Sequence, residues 1–120
     1  MGLRILVAED QPLVLDIIAD VLTDAGHEVL QAEDGKEALR TAEREQPDLL
    51  LLDVMMPGMD GREVTRRLRE NPGGDGMRIV LYSAMAEEDI DWREAGADAF
   101  RSKTESVRNL PSFLEGLADR

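Results

Sequence analysis

The sequence predicts an α/β domain of (βα)5 type: a doubly wound, parallel five-stranded sheet between two layers of helices. Three observations predict it. Short apolar or β-prone runs alternate with stretches of helical periodicity along the whole chain. Three of those runs are almost uninterrupted in apolar residues, which is how strands read when helices cover both faces of a sheet. The 120 residues, 42% of them hydrophobic, suit one domain (1–120) with a core of ordinary size.

The first strand is expected at Leu3 to Ala8 (LRILVA) and the second at Glu28 to Ala32 (EVLQA). The third is expected at Asp48 to Leu52 (DLLLL), the fourth at Arg78 to Tyr82 (RIVLY) and the fifth at Ala97 to Arg101 (ADAFR). In the first helix Val14, Ile17, Ile18, Val21, Leu22 and Ala25 recur at helical spacing, with Asp16, Asp20 and Asp24 opposite them. Pro12 suits its first turn and Gly26 its C-terminal cap. Ala38, Leu39 and Ala42 mark the second helix, which must stop before Pro47. Val64 and Leu68 mark the third, with Arg62, Arg66, Arg67 and Arg69 on its solvent face. The fourth, Glu87 to Ala95, is short and weakly patterned; Trp92 within it reads as packed against the sheet in preference to an exposed partner anchor. The fifth uses Val107, Leu110, Phe113, Leu114 and Leu117, with Pro111 near its start. Asn71 to Gly76 (NPGGDG) reads as a loop.

Composition narrows the function. Fourteen basic against twenty-six acidic residues give a net charge of −12, a surface that repels nucleic acid and anionic lipid. Direct nucleic-acid binding and membrane association are therefore not expected. No stretch approaches the ~20 apolar residues of a membrane span, so a soluble, cytoplasmic protein is the expectation. The absence of cysteine removes disulfides, thiolate metal sites and cysteine nucleophiles. His27, the only histidine, falls in a turn away from the acids and is expected to have a structural or surface role.

In an open parallel sheet, ligands sit beyond the carboxyl ends of the strands, where the strand order reverses. Glu9 and Asp10 directly follow the first strand, and Asp53 directly follows the third. Any one of these acids alone serves as well to cap a helix or form a turn. If the two strands are neighbours, however, three carboxylates converge, and their mutual repulsion calls for a hard divalent cation such as Mg2+. Ser83 and Lys103 end strands at the same edge and supply a hydroxyl donor and an ammonium counter-charge. A carboxylate nucleophile, a cation position, a hydroxyl and a lysine form the inventory that phosphoryl transfer requires.

Four pieces in register, ILVAED, LLLLDVMMPGMDG, IVLYSA and AGADAFRSK, resemble the receiver domain of two-component response regulators, and the resemblance spans essentially the whole chain. It implies a flavodoxin-like strand order, 2-1-3-4-5. It implies that Asp53 is a phosphoacceptor, charged by a sensor histidine kinase or a phosphotransfer protein. Glu9, Asp10, Asp53 and the backbone carbonyl of Met55 would hold Mg2+, with Mn2+ the other cation such a site admits; Asp10 would bind directly and Glu9 through water. Ser83 and Phe100 would be the switch pair, reshaping the face of the fourth helix, fifth strand and fifth helix. That face would address a downstream protein, a fused output domain or a second copy in a homodimer. Such a chain promotes its own phosphorylation, and potentially its own dephosphorylation, without being a metabolic enzyme.

This chain departs from the family pattern in three places. Thr104 follows Lys103 where proline is usual, so a trans peptide and an altered loop are expected. Lys103 follows Ser83 by an interval of only 20 residues, about two shorter than is usual, so the fourth helix should be trimmed. Met55 and Met85 occupy positions that tune dephosphorylation in the family, and two bulky apolar groups there suggest a long-lived phosphoryl state. Two other readings are an aspartate-nucleophile phosphatase and a phosphorylation-independent pseudo-receiver. The first wants an acid where Met55 stands; the second fits poorly with an intact Glu9, Asp10, Asp53, Ser83 and Lys103.

Overall fold

Leu49, Leu50, Leu51 and Leu52 are all buried, but they pack in alternation on two different layers. Leu50 and Leu52 join Ala38, Ala42, Val64 and Leu68 on one side of the sheet. Leu49 and Leu51 join Leu15, Ile18, Leu22 and Leu114 on the other. This period-two alternation explains the unbroken apolar run: both strand faces are core. Truncating any one of these leucines to alanine would cost about 2–5 kcal/mol.

The computed structural model describes residues 2–71 and 74–119, the side chain of Asp75 excepted. The elements in order are β1 (Arg4–Ala8), α1 (Pro12–Asp24), β2 (Glu28–Ala32), α2 (Gly35–Glu45), β3 (Leu49–Asp53), α3 (Gly61–Glu70), β4 (Arg78–Ser83), α4 (Trp92–Ala95), β5 (Ala99–Ser102) and α5 (Leu110–Ala118). The strands pair in parallel in the order β2-β1-β3-β4-β5. Winding reverses between β1 and β3, so the chain has its switch point at the carboxyl ends of those two strands. No helix among the described residues is long and apolar enough to cross a membrane.

Several local expectations are corrected. β3, β4 and β5 end one residue later than the apolar runs suggest, so that Asp53 and Ser83 are the last paired residues of their strands. In α1, Leu15 is buried while Ile17 is 46% exposed. The inward stripe runs through Leu15, Ile18 and Leu22, and the helix is apolar enough around its girth to hide that phase. The segment from Glu87 to Ala95 is not one helix. A 3-10 turn (Glu87–Asp89) and the single turn of α4 flank Ile90, whose backbone is extended and whose side chain is buried. Gly96, at φ 104°, closes α4 in the left-handed region. The trimming is as expected, and Trp92 is half-buried against the core. Of the loop Asn71 to Gly76, Gly74–Gly76 form a 3-10 turn, and Pro72 and Gly73 lie outside the described residues.

Arg69 is not part of a solvated face. Its guanidinium donates to the carbonyls of Gly74, Met77 and Gly96 at 2.6, 2.8 and 2.8 Å and to Asp98 Oδ2 at 2.8 Å. It thereby ties the end of α3 to the approaches of β4 and β5. His27 has the structural role expected of it. Its Nδ1 accepts the Leu3 N–H at 3.0 Å and its Nε2 lies 2.8 Å from Glu115 Oε2, which pins α5 to the opposite end of the sheet from the acids.

Candidate functional site

Glu9 and Asp10 leave β1 beside the last residue of β3, and one oxygen from each of Glu9, Asp10 and Asp53 lies within 4.8 Å of the others. Glu9 and Asp53 are only 1% and 3% exposed, whereas Asp10 sits at the open rim. Lys103, just past β5, crosses the sheet edge to meet both buried acids. Its Nζ is 2.8 Å from Glu9 Oε1 and 3.0 Å from Asp53 Oδ2. The remaining oxygens are also engaged: the Gln11 N–H donates to Glu9 Oε2 at 3.2 Å and the Met55 N–H to Asp53 Oδ1 at 3.1 Å.

The electrostatics follow from this crowding. Burial and then the neighbouring Glu9 carboxyl push Asp10 above the usual carboxylate range. Burial pulls Lys103 down, but its hydrogen bonds to Glu9 and Asp53 outweigh that and hold it above the ordinary lysine value. Three carboxylates thus share one ammonium. A donor set of hard oxygens with excess negative charge fits a divalent cation of the Mg2+ kind, and no imidazole or thiol at this edge favours a softer metal.

The β3–α3 loop is built to hold Asp53 still. The Val54 N–H donates to the Tyr82 carbonyl at 3.0 Å and the Gly61 N–H to the Val54 carbonyl at 3.1 Å. Gly61 is there because a Cβ would lie 2.5 Å from the Asp53 carbonyl oxygen. Asp60 caps α3 through the N–H groups of Arg62 and Glu63, at 2.8 and 3.2 Å. Burial pushes Asp60 up, but the Arg62 side chain and those two backbone donors outweigh it and hold it below the usual range.

Ser83 is buried at the end of β4, and its Oγ accepts the Met85 N–H at 3.0 Å. Met55 and Met85 are 62% and 38% exposed, on the loops that follow β3 and β4. An open cavity of about 560 Å3 lies between Asp10, Met55, Pro57 and Arg62. Phe100 is half-buried in β5 and borders another of about 400 Å3, shared with Met85, Ser102 and Thr104. Lys103–Thr104 is trans, as all described peptides are. The altered loop is braced locally: the Thr104 N–H donates to Ser102 Oγ at 3.1 Å, and Arg101 donates to the Ser106 carbonyl at 2.9 Å.

The sequence-predicted acids therefore converge within 4.8 Å of one another, and Lys103 contacts two of them, Glu9 and Asp53, with Ser83 on the same edge and Phe100 one strand away. Two contributors escape sequence reasoning. Arg101 is buried and braces the loop after Lys103. The ring of Tyr82 lies beneath the Lys103 ammonium, 5.4 Å from centroid to Nζ. An aromatic residue closing an otherwise aliphatic strand beside Ser83 is the one signal that could have pointed to it.

Residues 5–115 match the family model of the response regulator receiver domain. The chain is 35% identical over 123 residues to the alkaline phosphatase synthesis transcriptional regulatory protein PhoP of Bacillus subtilis, covering all of this chain and 50% of that protein. It is 36% identical over 122 residues to the phosphate regulon transcriptional regulatory protein PhoB of Pseudomonas aeruginosa, covering 100% of this chain and 53% of that one. The chain thus spans about half the length of these curated relatives. Among solved structures, a putative response regulator from Chloroflexus aurantiacus superposes with a TM-score of 0.91 at 29% identity, over 100% of both chains. The receiver domain of sensor histidine kinase PA1611 from Pseudomonas aeruginosa superposes with a TM-score of 0.90 at 28% identity, also over 100% of both, and that structure has a magnesium ion coordinated in its active-site cleft.

Proposed function

The chain belongs to the response regulator receiver domain family, and from that premise we propose that it is a phosphorylation-controlled switch whose phosphoacceptor is Asp53. The observation that carries the proposal is the bridge from Lys103 to Asp53 and Glu9 with Asp10 at the open rim. A buried carboxylate oriented by a backbone N–H and an ammonium is a positioned nucleophile, and the rim is where a donor can approach.

In the transfer, a carboxylate oxygen of Asp53 forms a bond to phosphorus as the bond from phosphorus to the donor's imidazole nitrogen breaks. The imidazole leaves with the electron pair and takes a proton. Glu9, Asp10, Asp53 and the Met55 carbonyl would hold Mg2+, which when bound supplies neutralisation of the charge on the transferring group. Lys103 supplies the second positive charge from the other side. The product adds roughly two negative charges and new acceptor oxygens at Asp53. Ser83 Oγ accepts from Met85 and still has its own proton to donate, so its hydroxyl is drawn to a phosphoryl oxygen. The loop after β4 moves with it, and Phe100 repacks into the cavity it shares with Met85. The face formed by the single turn of α4, β5 and α5 is then the output surface, presented to a separate protein, a linked domain or a second copy.

Met55 and Met85 set the lifetime of this state. Both stand on the loops beside Asp53, where an apolar side chain neither orients nor activates a water, so the acyl phosphate hydrolyses slowly.

Incubation with Mg2+ and acetyl phosphate tests the proposal, with Asp53→Ala as control. The expected result is an isolable, alkali-labile label that the control lacks. Continuous phosphate release with turnover would instead identify a phosphatase. A protein that takes no label, from acetyl phosphate or from a panel of phosphorylated kinases, would be a phosphorylation-independent module.

A further inference from the structure

Among the described residues the Lys103 ammonium has three close partners, and only two of them are acids. The third is Tyr82, the penultimate residue of β4, placed opposite Asp53 in the β3 register and opposite Arg101 in the β5 register. Side chains alternate along a strand, so Tyr82 points to the α1/α5 side while Leu81 and Ser83 point to the other. Tyr82 is 8% exposed and belongs to the same core cluster as Val80, Val7 and Leu51. Lys103 reaches the acids across its face, with Nζ 5.4 Å from the ring centroid. Burial pushes the phenol above its usual range.

An aliphatic residue here would fill the core equally well. An aromatic ring adds a negative quadrupole face turned toward an ammonium. That difference matters because of what happens to the other partners. When Asp53 is phosphorylated, one of its oxygens becomes the bridging oxygen of an acyl phosphate and the charge moves outward onto the phosphoryl group. The ammonium must follow that charge, loosening a contact that now holds it at 3.0 Å. The ring is a partner whose attraction does not depend on the state of Asp53, and it is tolerant of sliding because it has no single acceptor atom.

On the reading of Asp53 as phosphoacceptor, we propose that Tyr82 is a positioning residue for phosphoryl transfer, its ring face keeping the Lys103 ammonium over the site as the charge moves from carboxylate to phosphoryl group. Tyr82 touches no reacting atom; it acts through Lys103.

The test is the rate at which Asp53 is labelled by acetyl phosphate in Mg2+, measured on the full chain for Tyr82→Phe, Tyr82→Leu and a series of progressively fluorinated phenylalanines at position 82. Fluorination drains the ring face of negative potential at nearly constant shape, so it separates the cation–π contact from packing. Tyr82→Phe should label within about twofold of wild type, Tyr82→Leu about tenfold more slowly, and the fluorinated series should fall stepwise between them. In the unphosphorylated protein, the Lys103 Cε protons should show an upfield ring-current shift that Tyr82→Phe keeps and Tyr82→Leu loses. A labelled wild type whose rate is indifferent to fluorination, or a missing ring-current shift, overturns the inference alone. A wild-type protein that takes no label overturns the phosphoacceptor reading, and this inference with it.

Discussion

Replacing Lys103 by methionine keeps most of the stem and removes the charge, which makes it a direct probe of the acidic centre. The lysine side chain is 24% exposed, while those of Glu9 and Asp53 are 1% and 4% exposed. Removing one member of a fully buried ion pair costs about 3–5 kcal/mol, because the partner is left desolvated and unpaired. Here the lysine is partly solvated and the rim at Asp10 is open, so screening reduces the expected loss to about 2 kcal/mol in metal-free buffer. The loss should shrink in magnesium. With the ammonium gone, the three carboxylates have no competitor for a cation, and a tenfold tighter site gains about 1.4 kcal/mol more than wild type does at the same saturating Mg2+. Urea unfolding of wild type and Lys103→Met, each in EDTA and in excess Mg2+, reads both quantities. The variant should be less stable in EDTA, gain more from Mg2+ than wild type does, and bind Mg2+ at least about tenfold more tightly by calorimetry. An equal deficit in both buffers, with unchanged Mg2+ affinity, would refute the electrostatic account of the site.

The double variant Met55→Asn, Met85→Glu should lose its phosphoryl label at least about tenfold faster than wild type, since it places groups that can orient and activate water beside Asp53; a label chase in Mg2+ measures this, and equal half-lives would contradict it. Arg69→Met should lower unfolding free energy by about 2–3 kcal/mol, because three carbonyls and Asp98 lose a charged donor. Asp60→Ala should cost about 1 kcal/mol at neutral pH through loss of the α3 cap, as read by urea midpoints. Asp60 is held below its ordinary value of 3.8, so its contribution is complete above that pH and is lost as the pH falls through the lower folded value. The gap between wild type and Asp60→Ala should therefore close in acid and remain constant from mildly acidic to neutral pH.

The parts of this molecule that were legible in the sequence are those fixed by short-range pattern. Leu49 to Leu52 announce a doubly covered strand because both faces need apolar residues, and an acid ending that run marks the sheet edge. Glu9, Asp10, Asp53 and Lys103 could be placed together because parallel topology puts every strand end on one side. What stayed hidden depends on tertiary choice. Leu15 and Ile17 are both apolar, and only the seat of α1 on the sheet decides which one is buried. Ile90 reads as one more residue of a helix, but the core beneath it draws it inward and breaks the helix into two turns. Arg69 looks like its arginine neighbours until the carbonyls of Gly74, Met77 and Gly96 arrive from elsewhere in the chain. The relation of Tyr82 to Lys103 exists only because β4 and β5 are adjacent.

The central claim is that the carboxylate held between Lys103 and the Met55 N–H is the one that takes the phosphoryl group. Borohydride reduction of the acetyl-phosphate-treated protein, followed by peptide mass mapping, converts an aspartyl phosphate to homoserine at the residue that carried it. Homoserine is expected at position 53, with Glu9, Asp10 and Asp60 unmodified. Homoserine at any other position, or an unreduced Asp53 in protein that bears label, would contradict that claim.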